Sequence, residues 1–296
     1  MKDFNYVAPP TIARFMRSNA LIRILVGPPA SGKTVGCFAE ILRRCSEAPV
    51  RADGKRRSRW AIISPSRRFS KDCVEYAWLE WMGEYGVYNT SQRKFTFRFS
   101  DVEADIFFLG MDTRADMLLL MSIELTGAFI PSMSVPPEVL HTLRYGRVGR
   151  FTRYDGTPQW SGIICEAYDR DLCNPHLASF IMNAEVFIQP SASSPEAENA
   201  ENLPPGYYDR AKVGKSSDWI GAYLGEEKTT NNNKETYMKC VTDCTREKHN
   251  ALLPRSQVHE CRTKILAVVY RCNCCKAKVR EVDGGFLHAE EPHSPE

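Results

Sequence analysis

The stretch Gly27-Pro28-Pro29-Ala30-Ser31-Gly32-Lys33-Thr34 follows the apolar run Leu21-Ile22-Arg23-Ile24-Leu25-Val26. It opens into a segment in which Val35, Phe38, Ile41 and Leu42 recur at helical spacing. Strand, glycine-bearing loop and helix, in that order, form the context a phosphate-binding loop requires. Gly27 and Gly32 let backbone N–H groups turn inward around phosphate oxygens, and the helix start adds partial positive charge. Lys33 is expected to reach the β- and γ-phosphates, and the Thr34 hydroxyl to ligate Mg²⁺. Residues Gly27, Pro28, Pro29, Ala30, Ser31, Gly32, Lys33 and Thr34 are therefore the expected site for ATP with Mg²⁺.

Away from the loop, the order of elements repeats. Ala8-Pro9-Pro10-Thr11 followed by Ile12-Ala13-Arg14-Phe15-Met16 reads as a turn and short helix before the first strand, with two roles open, an adenine contact or an N-terminal brace. Trp60 to Ile63 reads as a strand, and Val74, Ala77, Trp78, Trp81 and Met82 then recur at helical spacing as a core stripe. Phe95, Phe97 and Phe99 alternate with polar residues as a half-buried strand; residues 104–109, 126–130, 160–165 and 184–189 are further strand candidates. Strands alternating with helices around a phosphate-binding loop predict the α/β class. The expected fold is a P-loop NTPase with a mostly parallel central sheet flanked by helices, its ligands at the carboxyl ends of the strands.

The 296 residues, 43% of them hydrophobic, suffice for a sizeable core. A net charge of +3 excludes nothing by itself, so clustering matters more. Arg51, Lys55, Arg56, Arg57 and Arg59 crowd around an Asp53-Gly54 turn. Two readings are open there, a loop tracking a phosphodiester backbone beside the nucleotide site or a solvated surface loop. There is no apolar run long enough for a membrane span, and Met1-Lys2-Asp3-Phe4 lacks the apolar core of a secretory signal, so a soluble intracellular protein is expected. Cys37, Cys45, Cys73, Cys165 and Cys173 are read as small buried hydrophobes.

Several blocks beyond the loop resemble the ATPase domain of tailed-bacteriophage terminase large subunits. They are Arg59-Trp60-Ala61-Ile62-Ile63, residues 107–112, residues 122–130, Gly146-Arg147-Val148-Gly149-Arg150, residues 160–164, and the stretch from Asn202-Leu203-Pro204 through Trp219 to Glu226. The resemblance implies an ATP-driven motor that moves double-stranded DNA into a procapsid. It also implies a ring of like subunits, a portal protein and a small terminase subunit as partners, the host cytoplasm as location and no membrane. ATPase and tail are expected to divide at 1–227 and 228–296.

The resemblance departs at the chemistry. It implies a carboxylate just after the strand 126–130, where this chain reads Pro131-Ser132-Met133-Ser134 and has none before Glu138. Asp112, Glu124 and Glu166 are the carboxylates that remain as substitutes, Glu124 and Glu166 being the catalytic candidates beside Lys33. After Ile164 the resemblance implies an Asp-Thr-Asn-Pro-like coupling loop, where Cys165-Glu166-Ala167-Tyr168-Asp169 stands. A transferring phosphoryl group also calls for an arginine. Arg67 is the leading candidate, with Arg68, Arg147 and Arg150 as others. Two functions stay open: a hydrolysing motor, and a non-hydrolysing, degenerate or truncated nucleotide- and DNA-binding relative.

The tail differs in kind. Thr229-Thr230-Asn231-Asn232-Asn233-Lys234 reads as a linker, and Asp243 and Asp283 are the only aspartates after it, so no nuclease activity is expected. Cys240, Cys244, Cys272 and Cys275 could pair as zinc ligands, although their spacing is irregular for such a site. A truncated or frame-shifted product is the competing account of the same stretch.

Overall fold

The computed structural model describes residues 5–151, 159–174, 176–225, 280–282 and 285–287. In chain order the elements are α1 (Pro10–Arg17), β1 (Ile22–Val26), α2 (Lys33–Ser46), β2 (Arg56–Ser64) and α3 (Arg67–Phe69), which runs through a π-helical segment, Ser70–Glu75, into α4 (Tyr76–Met82). There follow β3 (Gly86–Asn89), β4 (Lys94–Phe99), β5 (Val102–Gly110), α5 (Arg114–Ser122), β6 (Gly127–Ile130), α6 (Pro137–Thr142) and β7 (Gly162–Ala167). The last elements are α7 (Ala178–Ile181), β8 (Glu185–Ile188), α8 (Tyr207–Lys212) and α9 (Ser217–Leu224), with a separate antiparallel hairpin of β9 (Arg280–Val282) and β10 (Gly285–Leu287).

One sheet carries β1 to β8 in the order β3-β4-β5-β2-β6-β7-β1-β8. From β5 to β8 every pairing is parallel, and only the β3-β4-β5 edge is antiparallel. The expected α/β architecture is thus observed. A parallel sheet must be covered on both faces, which explains why all five residues of β1 are buried. Ile22, Ile24 and Val26 face one core with Leu120, Leu140 and Phe180. Leu25 faces the other with Ile12, Phe15, Phe38 and Trp78. The lead-in helix α1 is a brace, packed on α2, β1 and β8 through buried Ile12 and Phe15.

Three sequence expectations are corrected. Trp78 and Met82 are buried, with Trp78 ringed by Phe38, Phe95, Phe97 and Phe108. Trp81 of the same stripe is 48% exposed, since on α4 it stands about 60° round the helix from Trp78 and about 100° from Met82, at the margin of the buried face. Cys37, Cys45 and Cys165 are buried thiols as expected, whereas Cys73 is exposed. The basic stretch is also displaced from the nucleotide loop. It forms the amino end of β2, and because β2 and β1 run the same way through the sheet, it lies at the opposite edge from Gly27 to Thr34. Its charges are largely internally matched: Arg56 meets Asp101 at 2.8 Å, Arg57 meets Glu103 at 3.2 Å and also Asp53, and Lys55 approaches Glu103 at 3.8 Å. The Cys173 side chain, the zinc candidates Cys240, Cys244, Cys272 and Cys275, and the linker before them lie outside what the structure describes.

No helix among the described residues is long and apolar enough to cross a membrane. Beneath α2 sits a charge cluster instead. Arg23 of β1 is fully buried, its Nη1 2.7 Å from Glu40 Oε1, and Arg44 Nε reaches the same oxygen at 2.8 Å. The Arg23 guanidinium lies 4.7 Å from the ring centre of Phe15 and 4.8 Å from that of Trp160. Removing one partner of a buried pair strands the other charge away from water. Glu40→Ala is expected to destabilise the fold by about 3–5 kcal/mol, measured by urea unfolding.

Candidate functional site: the loop between β1 and α2

Residues 27–32 leave the carboxyl end of β1 and turn directly into α2. The turn needs left-handed backbone at two positions, Ala30 with φ 61° and Gly32 with φ 82°. Gly27 is required for a different reason: a Cβ there would stand 2.2 Å from Gln189 Oε1. Because Pro28 and Pro29 have no N–H, the anion donors the loop can offer begin at Ala30.

Each loop carbonyl already has a donor. Lys33 Nζ donates to Gly27 O at 2.9 Å and Pro28 O at 2.6 Å. Tyr208 Oη donates to Pro29 O at 2.9 Å, Asn199 Nδ2 to Ala30 O at 2.8 Å, and Gln189 Nε2 to Ser31 O at 2.9 Å. Gly36 N closes on Gly32 O at 2.9 Å as the first turn of α2. Gln189, just past β8, is itself held by the buried Glu198, whose other oxygen accepts the Thr11 amide at 2.7 Å.

On the other side of β1, β7 supplies a carboxylate. Leu25 and Glu166 are register partners, and the Thr34 hydroxyl donates to Glu166 Oε2 at 3.1 Å. Glu166 Oε1 is buried with no hydrogen-bond partner. Burial pushes the Glu166 carboxyl up to about 7, against the opposing pull of Lys33 and the Thr34 hydroxyl. Burial likewise lowers Lys33, opposed by Glu166, Asp169 and Asp171. Tyr168, close by along the chain, places its ring centre 5.1 Å from Lys33 Nζ. Lys33, the Thr34 hydroxyl and the Glu166 carboxylate thus lie together at the start of α2, and a hydroxyl against a carboxylate is the oxygen chemistry that suits Mg²⁺.

The remaining candidates are not brought to the loop. Glu124 precedes β6 at the amino edge of the sheet, where it approaches Arg150 at 3.9 Å. The block 146–150 lies at that same edge, since Val148 bridges to Leu125. This places Arg147 and Arg150 at the opposite end of the sheet from the loop. Arg67 is on the loop's side, at the carboxyl end of β2, but β6 and β7 intervene between β2 and β1, roughly 14 Å of sheet. It is also held by Asp116 at 2.5 Å, and its amide by Asp112 at 2.6 Å. Gln189, Asn199 and Tyr208 escaped sequence reading, because no motif links them to a loop more than 150 residues earlier. Only the apolar strand pattern before Gln189 was visible.

The fold has counterparts among solved structures. The large terminase of a thermophilic bacteriophage aligns with a TM-score of 0.53, covering 73% of this chain and 52% of its own. The fold is that of a phage large terminase. Sequence identity to it is 10%. The same terminase in complex with ADP aligns with a TM-score of 0.52, and in complex with ATP-gamma-S with 0.51, each again at 10% identity over 73% of this chain. The chain thus spans about half the length of the terminase it matches. Neither a family model nor a curated protein matches the sequence.

The raised Glu166 carboxyl has a signed consequence for the nucleotide-free protein. A carboxyl that binds its proton more tightly folded than unfolded adds stability below its unfolded value of 4.5, and that contribution is lost as pH rises through about 7. Thermal melts in a chelating buffer between pH 5 and pH 8 are expected to show wild-type stability falling relative to Glu166→Gln. The difference is expected to be on the order of 3 kcal/mol.

Proposed function

We propose that this chain is an ATP-hydrolysing motor unit of the large-terminase kind, driving double-stranded DNA into a viral procapsid. The observation that carries the reading is Glu166, whose Oε2 sits 3.1 Å from the Thr34 hydroxyl while Oε1 is buried and unpartnered. The acidic residue missing after β6 is replaced, in this reading, by one on β7, the strand next to the loop. The N–H groups of residues 30–34 bind phosphate oxygens, and Lys33 exchanges the loop carbonyls for the β- and γ-phosphates. Glu166 orients the attacking water and accepts its proton. Bound Mg²⁺, held by Thr34, would neutralise phosphate charge.

Support for the biological setting is the terminase fold, solved elsewhere with ADP and with ATP-gamma-S. In this reading duplex DNA, a portal, a small terminase subunit and a homo-oligomeric ring are the partners. The arginine that stabilises the transferred phosphoryl group then comes from a neighbouring subunit, since Arg67 is held by Asp116, Arg68 beside it pairs with Asp72 at 3.4 Å, and Arg147 and Arg150 lie at the far edge. The specific observation favouring the alternative, a nucleotide- and DNA-binding protein that does not hydrolyse, is the absence of any carboxylate in 131–137.

Steady-state phosphate release with duplex DNA, measured beside ATP binding, separates the two. Glu166→Gln is expected to keep ATP binding and to lower turnover by about 10²–10⁴. Lys33→Ala is expected to lose binding. A wild-type protein that binds ATP yet releases phosphate no faster than Lys33→Ala is the non-hydrolysing relative.

A further inference from the structure

Three of the donors on the loop carbonyls come from beyond β8, and their placement has a geometric effect on the opposite face of the loop. In a trans peptide the C=O of one residue points away from the N–H of the next. The described backbone holds no cis peptide. Tying Pro29 O, Ala30 O and Ser31 O outward therefore turns the N–H groups of Ala30, Ser31 and Gly32 inward. These are the first three donors of a loop whose two prolines have none. The ties are made by Tyr208, Asn199 and Gln189 respectively.

We propose that Gln189, Asn199 and Tyr208 are positioning residues that set triphosphate affinity by fixing these three peptide units. Nucleotide affinity then depends on the placement of residues 189–212. The inference rests on the reading of Gly27 to Thr34 as the nucleotide site and deepens it by naming what regulates that site.

The ties differ in how firmly they are seated. Gln189 is buried and anchored through Glu198 to the amide of Thr11, so it belongs to the frame. Asn199 and Tyr208 are more open, and they sit on a segment that follows the last strand of the sheet instead of belonging to it. Asn199 adopts the left-handed region with φ 64°, next to the short helical turn Ala200–Asn202. Asn202 Nδ2 donates to Asn199 Oδ1 at 2.9 Å, which directs the Asn199 amide nitrogen at Ala30 O. Tyr208 stands in α8 and reaches the loop only through its hydroxyl. A shift of this segment releases two of the three peptide units without disturbing the sheet. By linkage, a nucleotide that needs those units inward holds the segment in place.

The test uses ATP-gamma-S with Mg²⁺ and the full chain. Tyr208→Phe removes one hydroxyl, and Asn199→Gly removes the amide while keeping the left-handed backbone. Each is expected to raise Kd about fivefold by isothermal titration, with the melting temperature of the nucleotide-free protein unchanged. In wild type, the nucleotide is expected to slow amide exchange across residues 200–212. Wild-type Kd in both variants, or a rise matched by a fall in nucleotide-free melting temperature, overturns the inference. So does exchange across 200–212 that is indifferent to nucleotide. If Lys33→Ala abolishes binding while Tyr208→Phe and Asn199→Gly bind as wild type, only the inference fails; if wild type binds no ATP-gamma-S, the reading of the loop fails with it.

Discussion

A backbone loop can turn its N–H groups toward an anion only if its carbonyls are engaged, and here every carbonyl from Gly27 to Gly32 accepts a hydrogen bond. Lys33 occupies Gly27 O and Pro28 O, the first turn of α2 occupies Gly32 O, and the carbonyls between them are held from outside. Placing β1 between β7 and β8 makes this possible. The carboxylate reaches the loop from one neighbour, and the amide brace reaches it from the other. A strand order that moved either neighbour by one position would leave the loop unsupported on that side.

Two buried glutamates differ in how their oxygens are engaged. Glu40 is fully buried, and both its oxygens meet guanidinium groups, from Arg23, Arg43 and Arg44. It is compensated, and its role is to let α2 lie over an arginine in β1. Glu166 lies in a strand that is buried throughout, and only one of its oxygens is engaged. An uncompensated oxygen in that setting costs stability. The contrast distinguishes the two residues more sharply than their sequence context does.

The loop, the parallel sheet around it and most strands were legible from local pattern. Trp60 to Ile63, the alternating phenylalanines of β4 and the apolar run of β5 each appear where expected, because side-chain periodicity reflects which faces are buried. The short strand β3 was not legible, since its Gly86-Val87-Tyr88-Asn89 is too brief to show a period. Trp81 was misjudged because helical spacing alone does not mark where a buried face ends, and Trp81 stands at its margin. The clustered arginines and lysine of 51–59 suggested a backbone-tracking loop. Their carboxylate partners Asp101 and Glu103 lie on or beside the neighbouring strand and were invisible until β2 and β5 were paired.

Sequence alone determined the loop between β1 and α2, the strand and helix that flank it, the α/β class and a short list of carboxylates. All of these depend on neighbours within a few residues, on spacing and on the backbone freedom of glycine. Tertiary structure alone decided which carboxylate meets Thr34. Glu124 is a half-buried acid shortly before one apolar strand and Glu166 a buried acid within another, yet one lies at the amino edge of the sheet and the other beside the loop. Strand order and direction make that difference. So too with Gln189, Asn199 and Tyr208, which reach the loop by packing across long chain separations, where contact is set by how layers close and not by any local pattern.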